Sequence, residues 1–531
     1  MKEKSKQKNK TMDNLVLILV VVVIFAILSS MLLPALGSAR EKARTIARSQ
    51  DSNYIENTEF DDFNTESYDY VKEHEFKKTI DNPLSTFSID VDTASYSNIR
   101  RLINMSKQPP IGAVRIEEMI NYFNYSYPNL RNGNQPFSTR LDLGPCPWNN
   151  KNKLLRIAIK GKEIPKNERK PANLVFLIDV SGSMYDYNKL PLLKKSLKML
   201  VNNLNENDTV SLVVYASNTG IVLDPTPCSQ KHKILNALSE LEAGGSTNGG
   251  SGIKLAYKIA QKNYIKNGIN RVILCTDGDF NVGISNQSAL VKLIKKSAKN
   301  NVFLSVLGFG MGNYKNSILE KLADNGNGNY GYIDTKAEAQ KLLVEQINGT
   351  LATIAKDVKI QVNFNPAKIK AYRLIGYENR LLNKEDFHDD TKDAGEIGAG
   401  HTVTAFYELI PHEANIKLPK VDGSKYTEVK IKATANNAEV ANVKIRYKDS
   451  ESEKSKLLTF NTTQLLAVAT AFPDNEFRFA TAVIEYGMLL KNSKFKGNSS
   501  FQSIFELANK PQKPARKEFL KLVAKTQKLI D

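Results

Sequence analysis

The 531-residue sequence predicts an α/β protein whose central part is a doubly wound, mainly parallel sheet, inserted between strand-rich flanking segments and preceded by one transmembrane helix. Three observations lead there. From Ala172 to about Ala355, short apolar runs alternate with stretches whose apolar residues recur at helical spacing, and repeated crossovers of that length imply parallel strands. On either side the rhythm changes to apolar/polar alternation of period two. Near the amino end, Leu15 to Leu36 is an almost unbroken apolar run of 22 residues, enough to span about 30 Å of hydrocarbon as a helix.

In chain order, residues 1–14 form a basic segment with lysines at 2, 4, 6, 8 and 10, and 15–36 the membrane anchor. Arg40, Lys42, Arg44 and Arg48 follow the apolar run, so charge counting votes only weakly for an inner amino end. Residues 37–82, polar and acidic without helical or strand period, are expected to be a flexible tether. Residues 83–171 read as a flanking α+β segment: "SNIRRLINMS" and "VRIEEMINYF" are helical in pattern, and "FSTRLDLG" and "KLLRIAIKG" alternate like strands. Residues 172–355 are the α/β unit. "LVFLIDV" suits a strand buried on both faces, and Leu190, Leu193, Leu197, Leu200, Val201 and Leu204 then mark a helix. Residues 356–531 run through strand-like "VKIQVNFN", "AYRLIGYE", "HTVTAFYELI", "TEVKIKATA" and "VANVKIRYKD", then helices from about Thr463. A β-sandwich built jointly from residues 135–165 and 357–450 is the expected arrangement.

The formal charge is +18, although residues 51–76 hold nine acidic residues against one lysine. A dispersed basic exterior mainly serves solvation, and it also leaves room for anionic partners such as envelope polymers. No nucleic-acid motif is present, so nucleic acid is not an expected partner. Three cysteines (146, 228, 275) are too few for a disulfide framework.

The chemistry concentrates in "DVSGSM". Asp179, Ser181 and Ser183 directly follow the first buried strand, and in such sheets ligands bind outside the carboxyl ends of the strands. Topology brings Thr247, in a glycine-rich loop, and Asp277, at the end of "VILCTD", to the same rim. Five oxygen side chains without nitrogen or sulfur suit a hard cation, Mg²⁺ with Mn²⁺ as the alternative. With only two carboxylates, a bound divalent ion keeps residual charge to attract an acidic group of a partner.

D-x-S-x-S with a distant Thr and a distant Asp resembles the metal-ion-dependent adhesion site of von Willebrand A and integrin I domains. "KPANLVFLIDVSGSM", "LEAGGSTNGGSGIKLAY", "NRVILCTDGDFNVG" and "DDTKDAGEIGAGHTVTA" are similar to a bacterial envelope family with a von Willebrand A domain between dedicated amino- and carboxy-terminal domains, over about residues 83–525. "AILSSMLLPALGSAREKAR" resembles the amino-terminal helix of pseudopilins, though Leu17 stands where those carry glutamate and Met12 where they carry the processing glycine. These resemblances imply a globular part outside the cytoplasm and a Mg²⁺-dependent module that bridges to an acidic residue of a protein ligand. The apolar core is longer than the roughly 7–15 residues usual in a secretory signal, so an uncleaved anchor is expected, with a cleavable signal as the alternative. The alternatives are an envelope scaffold holding anionic polymer and, behind it, a metal-dependent hydrolase.

Other motifs read more plainly. Asp279 in "DGDFN" is expected beside the site and not in it; "DVDTAS" (Asp90, Asp92, Ser95) echoes the motif without its later partners; "GFGMG" lacks the dinucleotide fingerprint. "HDDTKDAGEIGAGH" is expected to be an ordered polar loop. H-E-x-x-H, G-x-S-x-G, a P-loop and a cysteine–histidine metal pattern are absent, so the reading is of a protein that is not an enzyme.

Overall fold

Among the described residues, four strands precede the α/β unit: β1 (Lys77–Lys78), β2 (Leu84–Ser88), β3 (Phe137–Pro145) and β4 (Lys153–Gly161). Six lie within it: β5 (Ala172–Asp179), β6 (Thr209–Tyr215), β7 (Thr219–Pro227), β8 (Ile269–Thr276), β9 (Phe303–Phe309) and β10 (Tyr330–Ile333). Seven follow: β11 (Thr353–Phe364), β12 (Ile369–Ile375), β13 (Leu381–Leu382), β14 (Gly395–Gly398), β15 (Thr402–Pro411), β16 (Ala441–Asp449) and β17 (Ser455–Asn461). These come from a computed structural model that describes residues 66–128, 135–246, 249–278, 287–312, 314–416, 418, 430–450, 452–462, 466, 469–509 and 513–530. The apolar run 15–36, the tether before residue 66, Thr247 and Asp279 lie outside the described residues. Among the described residues no helix is long and apolar enough to cross a membrane.

The α/β sheet has the order β10-β9-β8-β5-β6-β7. Its strands are parallel except β7, which turns back antiparallel on β6. Successive strand residues point to opposite faces. Ala172, Leu174, Phe176 and Ile178 of β5 therefore join the core under helices Leu190–Asn203 and Lys231–Ser239. Val175 and Leu177 join the core under helices Gly249–Lys262 and Asn316–Asn325 on the other side. A strand covered on both faces must be apolar throughout, which is why "LVFLIDV" carries no alternation.

The flanks close around a second core. One sheet runs β1-β12-β15-β4-β3; the other runs β13-β2-β11-β16-β17, with β14 also on β11. β4 pairs antiparallel with β15 over Lys153–Lys160, so strands from before and after the α/β unit lie side by side. β2, which the sequence pattern did not assign to the sandwich, pairs with β11. The two inner faces meet through residues such as Leu155, Ile157, Ile159, Val362, Tyr407 and Ile445. The outer face of the β4 sheet is covered in turn by helices Ile116–Asn121 and Asn475–Leu490, and helices Ala94–Asn104 and Pro514–Ile530 pack behind them to complete a core that includes Leu154, Ala158, Ile375 and Phe406.

Three stretches depart from the sequence expectation. Residues 66–82, read as tether, lie on the body: Glu66 pairs with Arg101 at 2.8 Å, Ser67 donates its amide to Tyr314, and β1 pairs with β12. β7 went unread because Pro225 and Pro227 break strand pattern, yet proline is tolerated on an edge strand such as this one. The described part of "TEVKIKATA" forms no strand; Ala433–Asn436 is a short 3₁₀ turn, tied down by Asn365 Nδ2 donating to the Ala435 and Glu439 carbonyls.

Where the sandwich meets helix Asn316–Asn325, Asp90 and Asp92 both accept from Arg380, which also pairs with Asp324 at 2.8 Å. The carboxylates of "DVDTAS" thus serve a buried ion network. Beside it, Glu117 is fully buried and neither of its oxygens has a hydrogen-bond partner among the described residues. Burial, with the nearby Glu378 adding to it and Arg115 opposing it, pushes the Glu117 carboxyl up to about 7. Such a group stays protonated in the fold until the pH approaches 7, so its contribution to stability is present below about pH 4.5 and lost as pH rises through 7. Glu117→Gln is expected to raise stability at pH 8 by roughly 1–3 kcal/mol and to change it little at pH 4.5. Urea unfolding of both proteins at the two pH values checks this; an equal offset at both would contradict it.

Candidate metal site

The chain crosses from one side of β5 to the other between β6 and β8, so the carboxyl ends of β5 and β8 flank the crevice where open α/β sheets bind ligands. Asp179 ends β5 and Asp277 follows β8; both are fully buried. Ser181 and Ser183 follow on the turn leaving β5, Ser181 buried and Ser183 exposed.

Local hydrogen bonds fix each of these groups. Asp179 Oδ1 accepts the Ser181 amide at 2.9 Å, while Oδ2 accepts Tyr215 Oη–H at 3.1 Å and Thr276 Oγ1–H at 3.3 Å. The turn is pinned to the glycine-rich loop from both sides: the Gly182 amide donates to the Gly245 carbonyl, and the Gly244 amide to the Val180 carbonyl. Gly245 has a φ of +83°, and a Cβ there would stand 2.5 Å from Ser217 Oγ, so only glycine lets that loop approach. Gly278, at φ +99°, likewise turns the chain directly after Asp277, where a Cβ would meet the Tyr314 backbone at 2.7 Å.

Two carboxylates are buried here with one lysine between them. Burial raises the Asp179 carboxyl to about 6, offset by hydrogen bonding to Ser181 and reinforced by the charge of Asp277. Lys189, itself buried, donates to Asp277 Oδ2 at 3.0 Å and supplies one compensating charge. The Ser181 and Ser183 hydroxyl oxygens are 3.1 Å apart. The two hydroxyls share a hydrogen bond at that distance, so both oxygens sit on the same side of the turn.

The structure thus brings Asp179, Ser181, Ser183 and Asp277 to one rim, and it describes the glycine-rich loop up to Ser246, the residue before Thr247. Sequence reasoning missed Tyr215, Thr276 and Lys189, which hold the carboxylates. Of these only Thr276 carries a local signal, its place next to Asp277. The remaining candidates do other work: Asp390 of the polar loop pairs with Arg446 and accepts from Ser455 Oγ. Among the described residues, no group of three His, Cys, Asp or Glu side chains is spaced to hold a metal.

Fold and rim together define a von Willebrand factor A-domain protein. Residues 173–347 match the von Willebrand factor type A domain model, 62–156 a model described as von Willebrand factor, and 349–529 the model "Uncharacterized protein YfbK, C-terminal". The Escherichia coli (strain K12) protein YfbK is 41% identical over 471 residues, covering 86% of this chain and 80% of that one. The chain belongs to the YfbK family. Human inter-alpha-trypsin inhibitor heavy chain H4 is 30% identical over 165 residues, 29% of this chain and 18% of that one. Among solved structures, a von Willebrand factor type A protein from Catenulispora acidiphila is 14% identical and covers 73% of this chain and 89% of that one, with a TM-score of 0.42.

Proposed function

We propose that the chain is a membrane-anchored protein of the bacterial envelope whose A domain holds Mg²⁺, or Mn²⁺ in its place, through Asp179, Ser181, Ser183, Thr247 and Asp277, and through it binds an acidic residue of a protein partner outside the cytoplasm. The observation that carries the reading is the buried Asp179 at the β5 terminus, accepting the Ser181 amide at 2.9 Å, with the Ser181 and Ser183 hydroxyls on the same turn 3.1 Å from each other. Mg²⁺ bound there would supply a hard Lewis acid able to accept an oxygen of the partner. The chain's own residues supply position: Tyr215 and Thr276 orient Asp179, Lys189 orients Asp277, and the glycine-rich loop holds the serine turn.

Binding fits this rim better than hydrolysis, because the Asp179 and Asp277 carboxylates are each held by hydrogen-bond donors and neither is poised as a general base. The membrane anchor rests on the apolar run 15–36. Full chain in detergent, immobilised and exposed to envelope extract with Mg²⁺ or with EDTA, is expected to retain a partner only with Mg²⁺. Retention that ignores EDTA and vanishes in high salt would instead favour the scaffold reading, in which the basic surface holds anionic polymer.

A further inference from the structure

Directly beside the rim is a cavity of about 510 Å³. Tyr185, Leu190, Pro191 and Leu241 give it an apolar wall, and Lys194, Lys195 and Lys198 of helix Leu190–Asn203 line it as well. Tyr185 follows Ser183 by two residues, so the wall begins within roughly 7 Å of the serine turn.

Two features distinguish this surface. Tyr185 and Tyr187 are 79% and 82% exposed, the highest values among the large hydrophobic residues described. Aromatic side chains of that size are the usual anchors of protein interfaces. Lys194 is committed to the fold, donating to the Ser239 and Leu241 carbonyls at 2.7 and 2.9 Å. Lys195 and Lys198 form no ion pair among the described residues. Against the lysines stand Glu242 on the cavity wall and Asp186, which lies 4.0 Å from Lys189. The lysine side therefore keeps a positive excess next to the metal rim.

We infer that the cavity is the second contact of the same binding event: it takes a bulky apolar side chain from an acidic protein segment whose Asp or Glu engages the rim, while further carboxylates of that segment meet Lys195 and Lys198. The inference rests on the metal-bridged reading above and adds the partner's chemistry to it. An extended segment advances about 3.3 Å per residue. The apolar residue therefore stands about two to four positions from the metal-binding carboxylate. The apolar contact supplies affinity, and the lysines supply encounter rate and a preference for acidic flanks.

A peptide array tests this with the full chain in detergent. The probes are 11-residue Gly/Ser peptides with a central Asp. One set is otherwise blank, one adds a single Leu or Phe two to four positions away, one adds flanking Glu, and one replaces the central Asp by Asn. With Mg²⁺, Leu or Phe at the right offset is expected to strengthen binding at least tenfold over Asp alone. Tyr185→Ser is expected to remove that gain, and K195E/K198E to remove the gain from flanking Glu. Mn²⁺ affinity, measured by electron paramagnetic resonance, should be the same in Tyr185→Ser as in the parent, which separates this contact from the metal. Asp peptides that bind with Mg²⁺ but gain less than twofold from any apolar neighbour overturn the cavity and leave the metal-bridged reading standing. Failure to bind Mn²⁺, or binding indifferent to Mg²⁺, overturns both. Polyphosphate captured in EDTA and lost in K195E/K198E assigns the surface to polyanions and also overturns the proposal.

Discussion

Asp179→Ala is expected to lower the affinity of the protein for Mg²⁺ or Mn²⁺ by at least about 100-fold while the fold survives. Removing a group that only orients a metal ligand typically costs 10–100-fold. Asp179 is assigned a direct place, so its loss belongs at or beyond the upper end of that range. The substitution leaves Ser181 N–H, Tyr215 Oη–H and Thr276 Oγ1–H without their shared acceptor. An unsatisfied buried donor costs roughly 1–3 kcal/mol. Against that cost, the substitution removes one of two mutually repelling buried carboxylates, a relief of similar size when no metal is bound. Unfolding in EDTA should therefore shift little, while the stabilisation that Mg²⁺ gives the parent should disappear from the variant. Thermal unfolding with Mg²⁺ and with EDTA, together with Mn²⁺ titration, measures both effects. A variant that keeps parental metal affinity would sink the assignment of Asp179.

What could be read from the sequence was what is local. D-x-S-x-S after a run buried on both faces places three oxygens on one turn, because a parallel strand delivers its carboxyl end to the crevice whatever surrounds it. Asp277 was legible for the same reason, as the terminus of a second such strand. The residues that hold these groups were not. Lys189 reaches Asp277 across 88 positions and Tyr215 reaches Asp179 across 36, and no spacing rule announces either contact. Strand pairing in the flanks was half legible. Alternation identified β4 and β15 as strands, and their shared character pointed to one sandwich, but β2 is too short to signal its place beside β11. The tether's carboxyl end was misread because its polar, aromatic composition looks unstructured until Arg101 and Tyr314 are known to await it.

β4 shows the same limit from within. In "KLLRIAIKG" period-two alternation puts Arg156 on the face opposite Leu155 and Ile157, and on a sheet with one wet face that side chain would be exposed. Helix Asn475–Leu490 covers the face instead, and the Arg156 side chain has no exposure at all.

Arg156→Ala is therefore expected to be among the most destabilising single changes in the sandwich, by about 3–5 kcal/mol, the range for breaking a buried ion pair from one side. The guanidinium donates to Asp142 Oδ2 at 2.6 Å, and to both oxygens of Asp474 at 3.0 and 2.7 Å. It also lies 5.3 and 5.1 Å from the ring centres of Tyr127 and Phe477. Asp474 caps helix Asn475–Leu490 by accepting the Phe477 amide at 2.6 Å, so Arg156 ties the helix start to the sheet. Burial raises the Asp474 carboxyl, but Arg156 and the cap amide outweigh burial and leave it below its ordinary value. A lowered carboxyl contributes stability above about pH 3.9 that is lost as pH falls through its folded value. The alanine variant should accordingly lose part of the parent's acid sensitivity as well as its stability. Arg156→Lys keeps the charge without the fork that spans two carboxylates, and it should fall between parent and alanine. Urea unfolding at pH 7 and near pH 2, below the ordinary carboxylate range, separates these outcomes. A loss below about 1 kcal/mol for alanine at pH 7 would mean that desolvation cancels the pair and that the covering helix is held by its apolar face alone.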